Sequence, residues 1–322
     1  MGDIVKPPAG ISLDLDNLWS YMKIHGDRGW EKYPSYFSIF VPHVLDILDE
    51  LDIRITFFIV GKDAEIDENK PYLKMIIDRG HDVGNHSHNH DPWLQSYSPP
   101  EIAKEIQMAE NAIFRSTGHK TKGFRGPGFS WSVDLLKVLE QRGYLYDTST
   151  LPTWLGPLAR KYYFWKADLS NEEKEARKEL FGKFTEGFRP LDPYFRETGN
   201  GKGIMEIPVT TIPFLRVPFH LSYLLYLSRF SPLMMTAYLN KALFLCKCTG
   251  VRPVFLLHPL DIIGGDKISE LSFFPGMDLP SDKKVDVFKQ VLKRIKRSYR
   301  ILTMHDFSME MMKENLRTLT IR

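Results

Sequence analysis

The sequence predicts an α/β protein, a distorted (β/α) barrel of seven or eight strand–helix units, on three observations. Strand-like apolar runs alternate with helical periods about five times before residue 150, and further strands and helices follow residue 203. Such alternation implies a parallel sheet with helices outside it. The chain has 322 residues, 43% of them hydrophobic, and that many units in this length fit a ring better than an open sheet. Finally, Asp14, Asp16, His86, His90, Arg125, Asp147 and His258 all fall at the ends of predicted strands, the edge where α/β proteins keep their chemistry.

In chain order, Ile11, Leu13 and Leu15 alternate with Ser12, Asp14 and Asp16, the period of a strand, so both aspartates point to one side. Phe40, Val44, Leu45, Leu48 and Leu51 recur at helical spacing. Residues 54–60 read as a buried strand and 71–79 as a short helix closed by Gly80. Asp82-Val83-Gly84 leads into the run 85–90, which holds three histidines. Ser98 and Glu101 form a capping box for a helix that ends at Gly118. A strand over 122–125 runs into Gly126-Pro127-Gly128, a helix covers 133–142, and 144–149 is the next strand. Later strands fall at 204–210, 253–258 and 300–304, with helices at 283–297 and 307–316.

The histidine run carries the first chemical signal. Neutral imidazole is the commonest metal ligand. His86 and His90, at H-x-x-x-H spacing, need a carboxylate or water to complete a site with an open position. Alone, that spacing is equally the pattern of a solvated turn. Asp14 and Asp16, side by side, repel unless a cation or proton lies between them; the alternative is that one of them caps the loop or helix that follows.

Net charge is +3 and pI about 8.6, and no aromatic-basic motif of an RNA reader is present, so no nucleic-acid partner is expected. The two cysteines, Cys246 and Cys248, are too close for a disulfide and lack the second half of a zinc site. Residues 1–8 show no apolar core of a signal peptide, so the expectation is a cytoplasmic protein.

Taken together, the motifs resemble the polysaccharide deacetylase family, the NodB-homology amidohydrolases of the carbohydrate esterase family 4 type. Ser12-Leu13-Asp14-Leu15-Asp16 resembles the first motif, His86-Ser87-His88-Asn89-His90 the H-[ST]-x-x-H motif, Phe124-Arg125-Gly126-Pro127 the R-x-P segment, and Leu256-Leu257-His258 the last motif. The resemblance runs from about residue 11 to 316 and implies one catalytic domain over 1–322. It implies Asp16, His86 and His90 as ligands of a divalent metal, with zinc the expected ion and cobalt, nickel or iron as alternatives. It further implies Asp14 as base, Arg125 as its brace, His258 as general acid and the Gly128 backbone N–H as oxyanion donor. The family's D-x-x-D-W segment is not visible, and Asp147 is the nearest candidate to orient His258. The aromatic residue that often follows the motif proline is Gly128 here, so Phe129 or Trp131 must line the pocket. The implied activity is removal of an N-acyl group, acetyl or formyl, from an amino sugar. The rivals are a soluble amidohydrolase on a small N-acyl or cyclic amide, and a non-catalytic carbohydrate- or lipid-binding protein.

Two stretches interrupt the rhythm. Residues 150–203 hold Trp154, Tyr162, Tyr163, Phe164 and Trp165 ahead of a charged helix over 171–184, read as an aromatic mini-core or a sugar-stacking lid. Residues 214–245 are strongly apolar but broken by Arg216, Arg229, Pro232 and Lys241, so no run suffices to cross a bilayer. They read either as a buried helix pair or as helices lying in a membrane interface. Glu206-Ile207-Pro208-Val209-Thr210 followed by an apolar stretch is similar to the family branch that acts on polyprenyl-linked amino sugars. That similarity implies a polyprenyl-phosphate-linked substrate and peripheral contact with the inner face of the membrane.

Overall fold

The structure is a computed structural model that describes residues 6–156, 184–199 and 203–320. The aromatic residues at 162–165 and most of the charged helix at 171–184 lie outside the described residues. The elements are, in order, β1 (Pro8–Leu15), α1 (Leu18–His25), α2 (Phe37–Glu50), β2 (Thr56–Ile59), α3 (Gly61–Glu65), α4 (Lys70–Asp78), β3 (Asp82–Asn85), α5 (Pro99–Thr117), β4 (Gly123–Phe124), α6 (Val133–Gln141), β5 (Tyr146–Asp147), β6 (Tyr194–Glu197), β7 (Ile204–Glu206), α7 (Leu221–Phe230), α8 (Pro232–Thr249), β8 (Val254–Leu257), α9 (Ser281–Ser298), β9 (Arg300–Leu302), α10 (Met304–Met311) and β10 (Thr318–Thr320).

The strands make one mostly parallel sheet in the order β10-β6-β7-β5-β4-β3-β2-β1-β8, with β9 beside the start of β1. Among the described strands, only β6 and β7 pair antiparallel. Beyond this ladder, the segment that follows β7 meets β8. The Thr210 N–H, four residues beyond β7, donates to the Val254 carbonyl at 3.0 Å, and the Val254 N–H to Thr210 Oγ1 at 2.8 Å. The expected parallel α/β sheet is present, and these two bonds form a seam between the segment after β7 and β8.

Why β1 alternates is now visible. Ile11, Leu13 and Leu15 belong to the core under the helices, with Val44, Leu48, Phe57 and Phe255. Ser12 and Asp14, though equally buried, point the other way and meet Arg125. A second cluster joins Phe58, Tyr146, Met205 and Val254 to Met304, Phe307 and Met311 of α10. Helix α10 begins at Met304, not Phe307, because Thr303 caps it: its Oγ1 accepts the Asp306 N–H at 3.1 Å. The Met304 N–H in turn donates to Thr56 Oγ1 at 2.7 Å. Met304 also packs under Gly10, where an added Cβ would come within 2.8 Å of Met304 Sδ. Helix α10 therefore packs under the start of β1, and the chemistry is left to the carboxyl ends of the strands.

Helix α5 starts at the expected capping box, Ser98 and Glu101, and ends at Gly118 in the left-handed conformation. The apolar stretch forms α7 and α8, separated at Pro232 in the first turn of α8. They are not a wholly buried pair. Leu224, Leu225, Leu239 and Leu243 join the core, while Tyr226, Phe230, Leu233 and Phe244 are exposed.

Candidate active site

Two strand ends bring three ligands together. Asp16 follows β1, His86 follows β3, and His90 lies four residues on. Their ligand atoms lie within 4.8 Å of one another and all three residues are buried. Asp16 Oδ1 is 2.9 Å from His90 Nε2 and 3.4 Å from His86 Nε2, and it has no hydrogen-bond partner. His86 Nδ1 is 2.7 Å from the Arg125 carbonyl oxygen. That contact requires the proton on Nδ1, so in neutral His86 the Nε2 lone pair faces the carboxylate. A lone pair and a carboxylate oxygen at this distance repel unless a cation lies between them, and the N, N, O donor set suits a divalent transition ion. The residues fit the metal that the motif implies. Burial opposes the charge on Asp16, but the His90 and His86 imidazoles outweigh it and hold the carboxyl well below its usual range.

The loop bearing the histidines is strained and anchored. Ser87 and His90 have φ of 60° and 53°, uncommon for residues with a Cβ. Glu105 of α5 holds the loop from behind, accepting the N–H of His88 at 2.9 Å, the N–H of Asn89 at 2.5 Å and the Asn89 side-chain amide at 2.8 Å. The Gly61 and Lys62 N–H groups at the start of α3 donate to the Ser87 and His88 carbonyls. His88 turns toward Glu65, at 3.6 Å.

Beside the ligands lies a second, separately braced group. Asp14 Oδ2 is 3.4 Å from Arg125 Nη1 and 4.0 Å from His258 Nε2, while Asp14 Oδ1 has no partner. Arg125 is fully buried, and its Nη2 donates to Ser12 Oγ and Thr148 Oγ1, both at 3.1 Å. His258 is partly exposed. Its N–H donates to Asp261 Oδ2 at 2.9 Å and its Nδ1 lies 3.6 Å from the same oxygen. Burial would depress the His258 pKa, but Asp261, with Asp14 and Asp16, overcomes this and pushes it up to about 9. Gly128, at φ 60°, sits in the turn after Arg125 with Pro92 against its α-carbon.

The expectation for Asp147 needs correcting. The ion-pair partners of His258 are Asp14 and Asp261, and Asp147 lies in a different network. Its Oδ1 accepts from Ser149 Oγ at 2.5 Å, and it pairs in register with Glu206 on β7. Glu206 is 3.2 Å from the buried Arg196 guanidinium. Burial, with Asp147 alongside, raises the Glu206 pKa well above its ordinary value. The physical reason is position: Asp147 ends β5, separated from β1 by three strands of the sheet, while Asp261 follows His258 within a single turn.

Three residues in or behind the site lay outside the sequence reading. Glu105 had a signal, since it occupies the apolar stripe of α5 beside Ile102, Ile106 and Ala109. Asp261 had a weaker one, a carboxylate three residues after a strand-end histidine. His220 gave none. It lines a cavity of about 220 Å³ with His258, Phe129, Trp131, Ser149, Leu151 and Tyr223 among others. Burial pushes its pKa down to about 3, so it stays neutral. Phe129 and Trp131 stand where the sequence required an aromatic wall.

Known proteins share both the motifs and the fold. The sequence model of the polysaccharide deacetylase family matches residues 27–146, the part that carries His86, His90 and Arg125. The chain is 34% identical over 119 residues to a peptidoglycan-N-acetylglucosamine deacetylase of Bacillus cereus, covering 36% of this chain and 42% of that one. It is 28% identical over 106 residues to a chitooligosaccharide deacetylase of Sinorhizobium fredii, covering 33% and 48%. The chain spans from 19% to 54% of the length of the curated relatives it matches. A crystal structure from Mycobacterium smegmatis, whose own assignment as a polysaccharide deacetylase is provisional, superposes with a TM-score of 0.62 at 18% identity over 100% of this chain and 96% of that one. A 4-alpha-glucanotransferase from Thermococcus litoralis shares the fold at a TM-score of 0.56 and 15% identity, over 99% and 42%. Sequence agreement through the histidine and arginine segments leads to one conclusion: residues 27–146 carry the sequence pattern of the polysaccharide deacetylase family, on a fold that the chain shares along its full length with a solved structure.

Proposed function

We propose that this protein is a metal-dependent hydrolase that removes an N-acyl group, acetyl or formyl, from an amino sugar, and that the sugar is carried on a polyprenyl phosphate at the cytoplasmic face of a membrane. The observation that carries the chemistry is the pairing of two groups within one pocket edge. One is a three-residue donor set, Asp16, His86 and His90. The other is a carboxylate, Asp14, held by Arg125 outside that set. A binding protein has no use for the second. Relatives named for deacetylating peptidoglycan and chitooligosaccharide support the amino sugar. The apolar helix pair supports the lipid carrier.

A divalent ion on Asp16, His86 and His90, zinc by expectation, would lower the pKa of a bound water and polarise the amide carbonyl. Asp14, with Oδ1 unpartnered, takes the proton of the attacking water. The Gly128 N–H meets the oxyanion as it forms. His258, charged at neutral pH because its pKa is about 9, gives its proton to the leaving nitrogen as the C–N bond breaks. A free amine and a carboxylic acid result. Phe129, Trp131 and Tyr223 offer flat apolar faces to the sugar ring.

Two variants test the roles. Asp14→Asn keeps metal content and lowers turnover on a soluble N-acetyl amino sugar by roughly 10²–10⁴-fold; His86→Ala loses metal and turnover together. Metal analysis beside the hydrolysis assay reads both, and near-normal rates in either variant reject the assignment. Mass spectrometry of lipid-linked amino sugars, in cells with and without the protein, tests the carrier.

A further inference from the structure

We propose that the outer face of α7 and α8, with the Phe214–Leu215 turn ahead of them, is a docking surface for an anionic lipid membrane. Helical geometry defines the face. At 100° per residue, Leu233, Ala237, Lys241, Phe244 and Cys248 of α8 fall on one stripe, and all five are exposed. Met235, Leu239, Ala242, Leu243 and Cys246 fill the opposite side and are buried. Packing on the core requires an apolar surface on one side of a helix only; α8 is apolar on both. Leu233 is 81% exposed, Phe214 76%, Phe230 66% and Phe244 64%. Leu233 follows Phe230 at the corner between the helices, and Tyr226 stacks edge-on against Phe230 at 5.2 Å. Large apolar side chains so grouped and so exposed mark an interaction site.

Charge identifies the occupant. The chain has 40 aspartates and glutamates, yet none falls between residues 207 and 260, where five lysines and arginines do. Arg229 pairs with Asp278, and Arg252 with Asp192 and Glu314. Lys241 and Lys247, flanking Phe244, have no ion-pair partner among the described residues. A second copy docking on this face by a two-fold axis would set these lysines against their own images, with no carboxylate on the face to receive them. A phospholipid surface meets both needs: the acyl boundary takes Leu233 and Phe244, and headgroup phosphates take the ammonium groups at the ends of their flexible stems. No helix of the described residues is long and apolar enough to cross a membrane, so the face lies along the interface.

The surface is joined to the pocket. Helix α7 starts next to His220, which lines the cavity with Tyr223, and ends at Phe230 on the docking face. Ten helical residues span about 15 Å, so the pocket stands one short helix away from the lipid plane. As a statement of where substrate is met, this rests on the lipid-borne sugar proposed above; the surface itself is tested separately.

The test is flotation of the full chain with phosphatidylcholine vesicles, with and without phosphatidylglycerol. The protein floats with the anionic vesicles at low salt. The pair Lys241→Glu and Lys247→Glu weakens binding by roughly thirtyfold or more, and the pair Leu233→Ser and Phe244→Ser abolishes it. Hydrolysis of a soluble N-acetyl amino sugar is unchanged in all four positions, which also shows that the variants fold. Failure of the unaltered protein to float overturns the proposal, as does flotation that neither pair weakens or that ignores phosphatidylglycerol. A dimer in sedimentation that Phe244→Ser dissolves, without flotation, assigns the face to a second copy. Soluble hydrolysis without flotation sinks the surface and spares the chemistry; flotation without hydrolysis does the reverse.

Discussion

His258 owes its charge to a residue three positions further along the chain. Burial alone would leave this imidazole neutral at pH 7; the Asp261 carboxylate, 3.6 Å from Nδ1, reverses the outcome. A general acid works only while protonated, so activity should hold below about pH 9 and fall above it. Asp261→Asn keeps an oxygen for the His258 N–H but removes the charge. The alkaline limb of kcat should then move to lower pH by about 1–2 units, read from a pH–rate profile. A limb that stays in place would show that Asp261 only caps the turn. At this scale the sequence is legible wherever a residue meets its partner through strand register. Asp14, Asp16, His86, His90, Arg125 and His258 all follow from their places at strand ends. It is not legible where the partner arrives by packing, as with His220, or from the turn beyond the strand, as with Asp261.

The histidine loop is shaped by elements that carry no ligand of their own. Helix α5 contributes Glu105, whose three hydrogen bonds hold residues 88 and 89 while their neighbours keep positive φ. Glu105→Ala leaves those N–H groups unpaired, and metal affinity should drop by roughly 10–100-fold with the ligands untouched, as calorimetric metal titration would record; unchanged affinity would show that the loop holds itself. Helix α3 meets α5 at Gly61, where an added Cβ would lie 2.6 Å from the Ala109 α-carbon. Gly61→Val should cost about 1–3 kcal/mol, measured by urea unfolding, and a neutral result would mean the two helices separate freely. The long amphipathic elements, α2, α5 and α9, are readable from periodicity because each carries its own apolar stripe. Strands β6 and β10 are not: they pair with each other across more than a hundred residues of sequence.

Across the whole molecule, the donor set ties the end of β1 to the loop after β3, and β2 runs between them. An ion that binds the folded chain and not the unfolded one raises stability by RT ln(1 + [L]/Kd), about 2.7 kcal/mol at a hundredfold excess over Kd. Chelation should therefore lower the Tm of the unaltered protein and leave that of His86→Ala where it is; equal shifts in both would place the stabilising ion elsewhere. The α/β class was readable from alternation alone, since parallel neighbours need a crossover helix each. Which residues make the β7 and β8 segments meet was not, because one of the two bonds comes from the Thr210 side chain and not from the strand ladder. That meeting has a further meaning. Ser149, Leu151 and Thr153 line the cavity from one bank of the seam and His258 from the other, while the Thr210–Val254 hydrogen bonds span the gap beside it. Whatever sits in the cavity touches both banks, and so adds a rung of its own between them.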